Sequence, residues 1–581
     1  MPSRSAIAGT LGLIGCAALG FHYLSGPSRD ASASDPRGDG SAWTTVERRF
    51  IPRLSVLLEY RRCSDQPHPP ALIPRSACGN SVAPLPPSDL LQLAQRAAAA
   101  IRVAPDPAAL QTAALVDLAW TSDGGNSLER SISYLRQAAR AADNPASALS
   151  DLAAAHLVRA ERTQNTEDLL NAIEAADEAV MADPQDPAAR FNLALGLERF
   201  ALSGAAGDAW RGYLAVDSVS PWAAEARIRL RSLSERARVV EQPLAVNATP
   251  AAGESPGFAS PQNARVEGWE VILAEWGRAV LRGDSVMAEN RLSAARGAGA
   301  ALERAGGDAS LHDAVRAIER AQRSPRITLA LAWAHVEYAV ARGEYATFDY
   351  HAAGERVARL VVAELPTTPL TLWIRAFHGS TLVHAGRLPE AVAILAGMDG
   401  EIGHTRYPAL QGSTAHSLAA ALLRRGDYEQ SRHAARRAEV LFERAGEPEN
   451  VGAARYLTAD AEYALGMSGD AFRSAHRSLA ALQPYARSLW RANALGSAAR
   501  IAAAKGLLRA AIRIQGERIA TTERIGSPIH RVEALAARAQ YFVATGAHQR
   551  AAADVRAAGV LLPRIRLPDA RRWMEADLRV T

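Results

Sequence analysis

The chain reads as an all-α solenoid of helical hairpins preceded by a membrane-anchor or signal segment. Three observations predict this. Five glycines, Gly386, Gly426, Gly466, Gly506 and Gly546, recur every 40 residues. A small residue stands seven positions before each (Gly379, Ala419, Ala459, Ala499, Ala539), and another five positions after (Ala391, Ser431, Ala471, Ala511, Ala551). An apolar run, Ala6 to Leu24, follows Arg4 at the N-terminus. A fixed period of about 20–50 residues marks a repeat array, and an array favours holding something over chemistry in a pocket.

The flanks of each glycine are rich in Ala and Leu at helical spacing, as in Ala415 to Arg425 and then Asp427 to Ala438. Glycine takes positive φ without strain and so ends one helix in a tight turn. Each repeat therefore reads as helix, turn at glycine, helix. The two flanking columns would face each other across the hairpin, where only Gly, Ala or Ser lets the helices pack closely. These residues resemble the tetratricopeptide repeat (TPR), and Arg425-Gly-Asp-Tyr-Glu-Gln-Ser431 is the stretch most similar to that family's turn. The family's period is about 34, so this chain would carry a lengthened form. The family also prefers a small residue twelve positions after the glycine. Ala438, Ser478 and Ala558 fit this, while Met398 and Arg518 depart from it.

Weaker repeats fill 86–245. Ala172, Ala179 and Pro184 show the family's spacing of two small residues and a closing proline. Asp183-Pro184 followed by Asp186-Pro187 reads as a helix stop and a new start. Gly204, Ala209 and Pro221 repeat the logic, with Trp210 and Tyr213 on the helix between. Leu91 to Val103 and Asp151 to Arg162 are helical by pattern. Residues 246–262, rich in Pro, Ala, Gly and Ser, form a linker, so the expected division is 86–245, a linker over 246–264, and a second array over 265–581.

At 581 residues the chain exceeds one ordinary compact core. A solenoid escapes that limit because each repeat packs only on its neighbours. The net charge is +5, but 66 basic residues face 61 acidic ones and the signs mix along helices, as in Arg436, Arg437, Glu439, Glu443 and Arg444. No basic run carries interleaved aromatics, so a nucleic-acid partner is not expected.

Arg4 before Ala6–Leu24 would place residues 25 onward outside the cytoplasm. About 19 apolar residues is near the lower end for spanning a bilayer. Leu13-Ile-Gly-Cys16 resembles a lipoprotein lipobox, which implies lipidation at Cys16; a cleaved signal is the third reading. Residues 1–24 are thus expected to tie the body to a membrane. Residues 25–85 form a tether and a small region, with strand-like character from Trp43 to Tyr60. Cys63 and Cys78 in that region form a disulfide, stay free, or join His68 at a metal, although the spacing matches no zinc pattern.

Sites of chemistry fail on context. Gly253-Glu-Ser255-Pro-Gly257 matches a nucleophile elbow but lies in the linker, without the strand-turn-helix that strains the serine outward. Gly9, Gly12 and Gly15 lie in the apolar leader. There is no phosphate-binding loop, H-E-x-x-H or C-x-x-C. His378, His384, His404, His416 and His433 read as surface or capping residues. Glu447 and Glu449 bracket Pro448 with no identifiable partner. No enzyme, cofactor, metal or small-molecule substrate is expected; the expected partner is a protein or peptide in the concave face. Arg375, Tyr456, Arg500 and Arg538 lie on the helices that would line it.

One tract, Leu441-Phe-Glu-Arg-Ala-Gly446 through Glu447-Pro-Glu-Asn450 and Tyr456-Leu457 to Leu465-Gly466, resembles the TPR arrays that precede CHAT (caspase-like) domains in bacteria. Ala206-Gly-Asp-Ala-Trp210 to Ser220-Pro-Trp-Ala-Ala-Glu225 is similar to the earlier part of such arrays. The resemblance implies a sensor or docking role, or the regulatory half of such a peptidase. The family's catalytic His and Cys pair does not carry over, because no cysteine follows Cys78. A helix near Pro568-Asp569, with Trp573, Met574 and Leu578, reads as a cap or as the first half of a sixth repeat.

Overall fold

The computed structural model describes residues 87–103, 106–119, 126–241 and 260–565, with a few positions between 571 and 578. The leader with Cys16, the segment holding Cys63 and Cys78, and Gly253, Ser255 and Gly257 lie outside the described residues. Among the described residues every element is helical, and no helix is long and apolar enough to cross a membrane.

The first helices are α1 (Pro87–Val103), α2 (Pro107–Ala119), α3 (Asn126–Ala141), α4 (Ala146–Thr163), α5 (Glu167–Ala182), α6 (Pro187–Arg199), α7 (Ser203–Val216) and α8 (Pro221–Glu241). Then come α9 (Pro261–Val266), a π-helical stretch Glu267–Ile272, and α10 (Leu273–Leu281). Helices α11 (Ser285–Gly306), α12 (Ser310–Ala321), α13 (Pro325–Ala346) and α14 (Tyr350–Val362) follow. The regular hairpins pair α15 (Pro369–His384) with α16 (Leu388–Ile402), α17 (Pro408–Arg425) with α18 (Tyr428–Ala445), and α19 (Pro448–Ala464) with α20 (Ser468–Ala481). They continue through α21 (Leu489–Ala504), α22 (Leu508–Ile525), α23 (Pro528–Ala544) and α24 (His548–Leu561).

The five periodic glycines sit at the turns inside the hairpins with φ of +74°, +93°, +77°, +79° and +74°. At Gly426 the backbone N–H groups of Gly426 and Asp427 donate to Leu423 O and Leu422 O and close α17. A Cβ there would meet nothing within 4 Å, so the demand for glycine comes from the backbone alone. The flanking columns are buried throughout. Ser431 Oγ donates to Ala419 O at 2.8 Å across the α17–α18 hairpin. At Gly379 a Cβ would lie 2.6 Å from Leu395 Cγ on the facing helix, so a larger residue there would force Leu395 to shift.

A further glycine pair has the same spacing. Gly412 and Gly452, 40 residues apart, lie under Phe442 and Leu482, with a built Cβ 2.8 Å and 2.5 Å from those side chains. Ser478 Oγ also donates to Gly452 O at 2.7 Å. Where the repeat departs from the family pattern, the packing adapts. Met398 is fully buried, and Arg518 lies over Gly496, whose built Cβ would be 3.1 Å from the guanidinium carbon.

The chain forms two compact units. One contains residues 237–501 and 518–581; a buried cluster in it includes Trp269, Trp276, Leu292, Tyr338, Trp373, Phe377 and Leu410. Met574, 2 % exposed, packs in a smaller cluster with Ile529, Leu535 and Leu561.

The other unit joins 502–517 to the residues up to Arg236. Its helix starts follow the expected signals. Asp186 caps α6, its side chain accepting from Ala188 N at 2.8 Å, with Pro187 in the first turn. Ala172 and Ala179 are fully buried on α5. Gly204, expected to repeat the glycine logic, instead lies in the first turn of α7, and the preceding turn puts positive φ on Ala201 (+62°). Residues 502–517 dock by reciprocal capping. The Glu174 carboxylate accepts the N–H groups of Arg509 (3.2 Å) and Ala510 (2.9 Å) at the start of α22. The Glu517 carboxylate accepts those of Gly204 (3.3 Å) and Ala205 (2.8 Å) at the start of α7. Each carboxylate thereby meets helix N–H groups that have no partner within their own helix.

Candidate binding face of the second array

The π-helical stretch interrupts one long helix at Glu267–Ile272 and leaves α9 as a six-residue head. Ser260 and Pro261 start that head, with Ser260 Oγ accepting from Asn263 N at 3.2 Å. The head lies against hairpins far along the chain. Arg265 grips Glu447 through Nε–Oε1 at 2.5 Å and Nη2–Oε2 at 3.3 Å, a pair 182 residues apart. Asn450 Nδ2 donates to Glu447 Oε2 at 2.6 Å. Gln262 Nε2 donates to Glu449 Oε2 at 2.9 Å. The Arg265 guanidinium lies 5.3 Å from the Trp373 ring on α15. Pro261 rests on Gly446, where a built Cβ would be 3.0 Å from Pro261 Cγ.

All five polar residues of this cluster are buried. Burial pushes the Glu449 carboxyl up, opposed by hydrogen bonds from Ser488 and Gln262. Asp308 is nearby and is also pushed up by burial. It caps α17 from another element, its Oδ2 accepting from Ala409 N at 3.0 Å. Among the described residues no group of His, Cys, Asp and Glu side chains is arranged to hold a metal ion.

Behind the cluster is an aromatic layer. His335 stacks on Trp269 at 5.9 Å and meets the edge of Trp276 at 5.7 Å. Burial lowers its pKa to about 3. His416 packs on Trp490 at 4.9 Å and is lowered by burial to about 4. His384 stacks on Tyr350 at 4.1 Å, with Nε2 2.8 Å from Tyr345 OH. The expectation of surface or capping histidines therefore holds for the exposed His404 and His433 but fails for His416, which is buried, and His384, which stacks on Tyr350. Both face aromatic neighbours that only the fold supplies.

A serine–histidine contact with a catalytic look is Ser527 Oγ, 2.6 Å from His530 Nδ1. Burial lowers His530 to about 3, helped by Arg518 and His384, so the imidazole is neutral but a feeble base. Burial raises Glu533 to about 7, and it pairs with Arg518 at 3.0 Å. All four of these side chains, Ser527, His530, Glu533 and Arg518, are buried. The contact lies at the start of α23, where Ser527 is the N-cap residue.

The four residues named on the helices expected to line the face are engaged with neighbours. Arg375 pairs with Glu401, Arg500 with Asp460 at 2.5 Å, and Arg538 with Asp554 at 2.7 Å. Tyr456 is buried, 6.1 Å from Trp490. Glu447 and Glu449, without partners in the sequence reading, have them here. Nothing in the sequence reading pointed to Gln262, which fell in the expected linker over 246–264, or to Arg265, the first residue expected after it. The Ser260-Pro261 pair, a helix-start signal, is what could have exposed them.

No family model matches the chain, and no curated protein matches it. Among solved structures it is similar to BtubC (BKLC) from P. vanneervenii, at 16% identity, covering 39% of this chain and 90% of that one, with a TM-score of 0.29. It is also similar to a Rap protein complexed with Competence and Sporulation Factor, at 12% identity, covering 54% of this chain and 97% of that one, with a TM-score of 0.33. Scores this low add nothing to the architecture described above.

Proposed function

We propose that the chain is a non-enzymatic, TPR-like scaffold that holds a protein or peptide segment against the first helices of the hairpins in its second array. The observation that carries this reading is the repeated hairpin itself, which sets equivalent helices side by side along the chain. The buried histidines and carboxylates are engaged with their own neighbours, which favours holding over turnover. The test is a peptide array probed with the full chain, followed by cross-linking of the strongest binder. Saturable binding that cross-links to α15, α17 or α19 supports the proposal. Absence of saturable binding across the array refutes it.

We further propose that the N-terminus tethers this scaffold to a membrane with the body outside the cytoplasm. Arg4 and the apolar run Ala6–Leu24 support this. Fractionation of cells expressing the full chain and its Cys16→Ala variant tests it. Membrane retention of the variant means a spanning anchor, loss of retention means a lipid, and a soluble wild-type chain overturns the tether.

A further inference from the structure

The contacts of α9 reach farther along the chain than those between successive hairpins. Besides the buried apolar Ala264, α9 is held by two side-chain polar contacts, Arg265 on Glu447 and Gln262 on Glu449. The Arg265–Glu447 pair is nearly sealed from solvent, with side chains 5% and 1% exposed. A buried ion pair is a weak source of net stability, because desolvation offsets most of the attraction, yet it is highly selective for its geometry. The pair therefore acts more as a specific latch than as a core contact. The π-helical stretch beside it supplies a place to move. A π turn holds one extra residue, and its relaxation to α-helix shifts the register by one. One residue is about 100° of rotation, enough to swing Arg265 away from Glu447 while α10 stays in the core through Leu273 and Trp276.

We propose that α9 is a built-in occupant of the binding face, and that the ligand is a peptide segment carrying an arginine that replaces Arg265 on Glu447. This rests on the scaffold reading above. The pocket is shaped for such a side chain: a buried carboxylate oriented by Asn450, the Trp373 ring 5.3 Å from the guanidinium, and Glu449 beside it to take an amide donor. A lysine would lose the two-pronged contact and most of the stacking. Binding of the ligand and release of α9 are then one exchange.

The test uses the full chain and a fluorescent peptide of residues 260–272, read by anisotropy, together with hydrogen exchange on the unmodified protein. The Arg265→Ala chain, checked for unchanged helicity, should bind the peptide at least about tenfold tighter than wild type. The same peptide carrying Arg265→Ala or Arg265→Lys should lose that gain. In wild type the amides of 262–266 should exchange faster than those of 274–281, and this readout needs no variant to fold. Equal affinity for both chains, or equal protection of the two segments, overturns the proposal. Probing the peptide array with both chains separates the two readings. Binders that are indifferent to Arg265 leave the scaffold standing and sink the latch, whereas no binder to either chain sinks both.

Discussion

The packing at Gly379 gives a prediction that isolates one term of the repeat pattern. In the α15–α16 hairpin, a Cβ on residue 379 would come 2.6 Å from both Cγ and Cδ2 of Leu395, which is fully buried. Overpacking of this kind costs about 1–3 kcal/mol. Alanine recovers about 1 kcal/mol of helix propensity over glycine, so Gly379→Ala should destabilise by about 0–2 kcal/mol. Leu395→Ala leaves a cavity and should cost about 2–5 kcal/mol. The next two hairpins carry Ala419 with Ala435 and Ala459 with Ala475 at the equivalent places. The double variant therefore recreates a pair the fold already uses. It should lose less than the sum of the singles, with a coupling of about 1–2 kcal/mol. Urea unfolding followed by circular dichroism on the full chain and its three variants measures this. Additivity to within about 0.5 kcal/mol would refute the argument that the two columns face each other as a size-matched pair.

The buried histidines make the fold acid-sensitive. With native pKa values lowered to about 3 (His335, His530) and about 4 (His416), their contribution is complete above the unfolded value of 6.5 and is lost as pH falls below it, at up to about 1.4 kcal/mol per pH unit for each. His335→Phe should shift the acid-unfolding midpoint downward, and an unchanged midpoint would contradict this. Glu533 works in the opposite sense. Raised to about 7, it stabilises fully below about 4.5 and loses that contribution as pH climbs to about 7, so Glu533→Gln should flatten the stability profile in that window. At the Gly466 turn (φ +77°), Asn should be tolerated within about 1 kcal/mol while Val costs about 2 kcal/mol or more, as read from thermal midpoints. Glu174→Ala should raise amide exchange at Arg509 and Ala510 by tenfold or more, because their N–H groups lose their acceptor.

The hairpin architecture was legible because it rests on local demands. A turn that needs positive φ forces glycine, and a close helix approach forces a small residue; both recur whenever the geometry does. The Gly412–Gly452 pair has only two members, with Leu372, Ala492 and Val532 at the other positions in register, so no column announced it. Gly204 shows the limit: the turn before α7 is made by Ala201, whose backbone conformation its residue type does not advertise. The partners of Glu447 and Glu449 were hidden for a different reason. Arg265 and Gln262 are more than 180 residues away, and no spacing rule relates them. The same holds for His384 and His416, whose surroundings arise from tertiary packing alone.

The long-range contacts inside the second array bear on how it can evolve and unfold. An open stack of hairpins can gain or drop a unit, since each touches only the next, and it frays from its ends. Here Gln262 meets Glu449, Ala309 N donates to Arg406 O at 2.9 Å, and Phe348 lies 5.6 Å from His530. These contacts skip over intervening hairpins and work only if the number between them is fixed. Duplication or loss of one 40-residue unit would put every such contact out of step at once. The copy number of this stretch is therefore locked, and it should melt as a block rather than peel hairpin by hairpin.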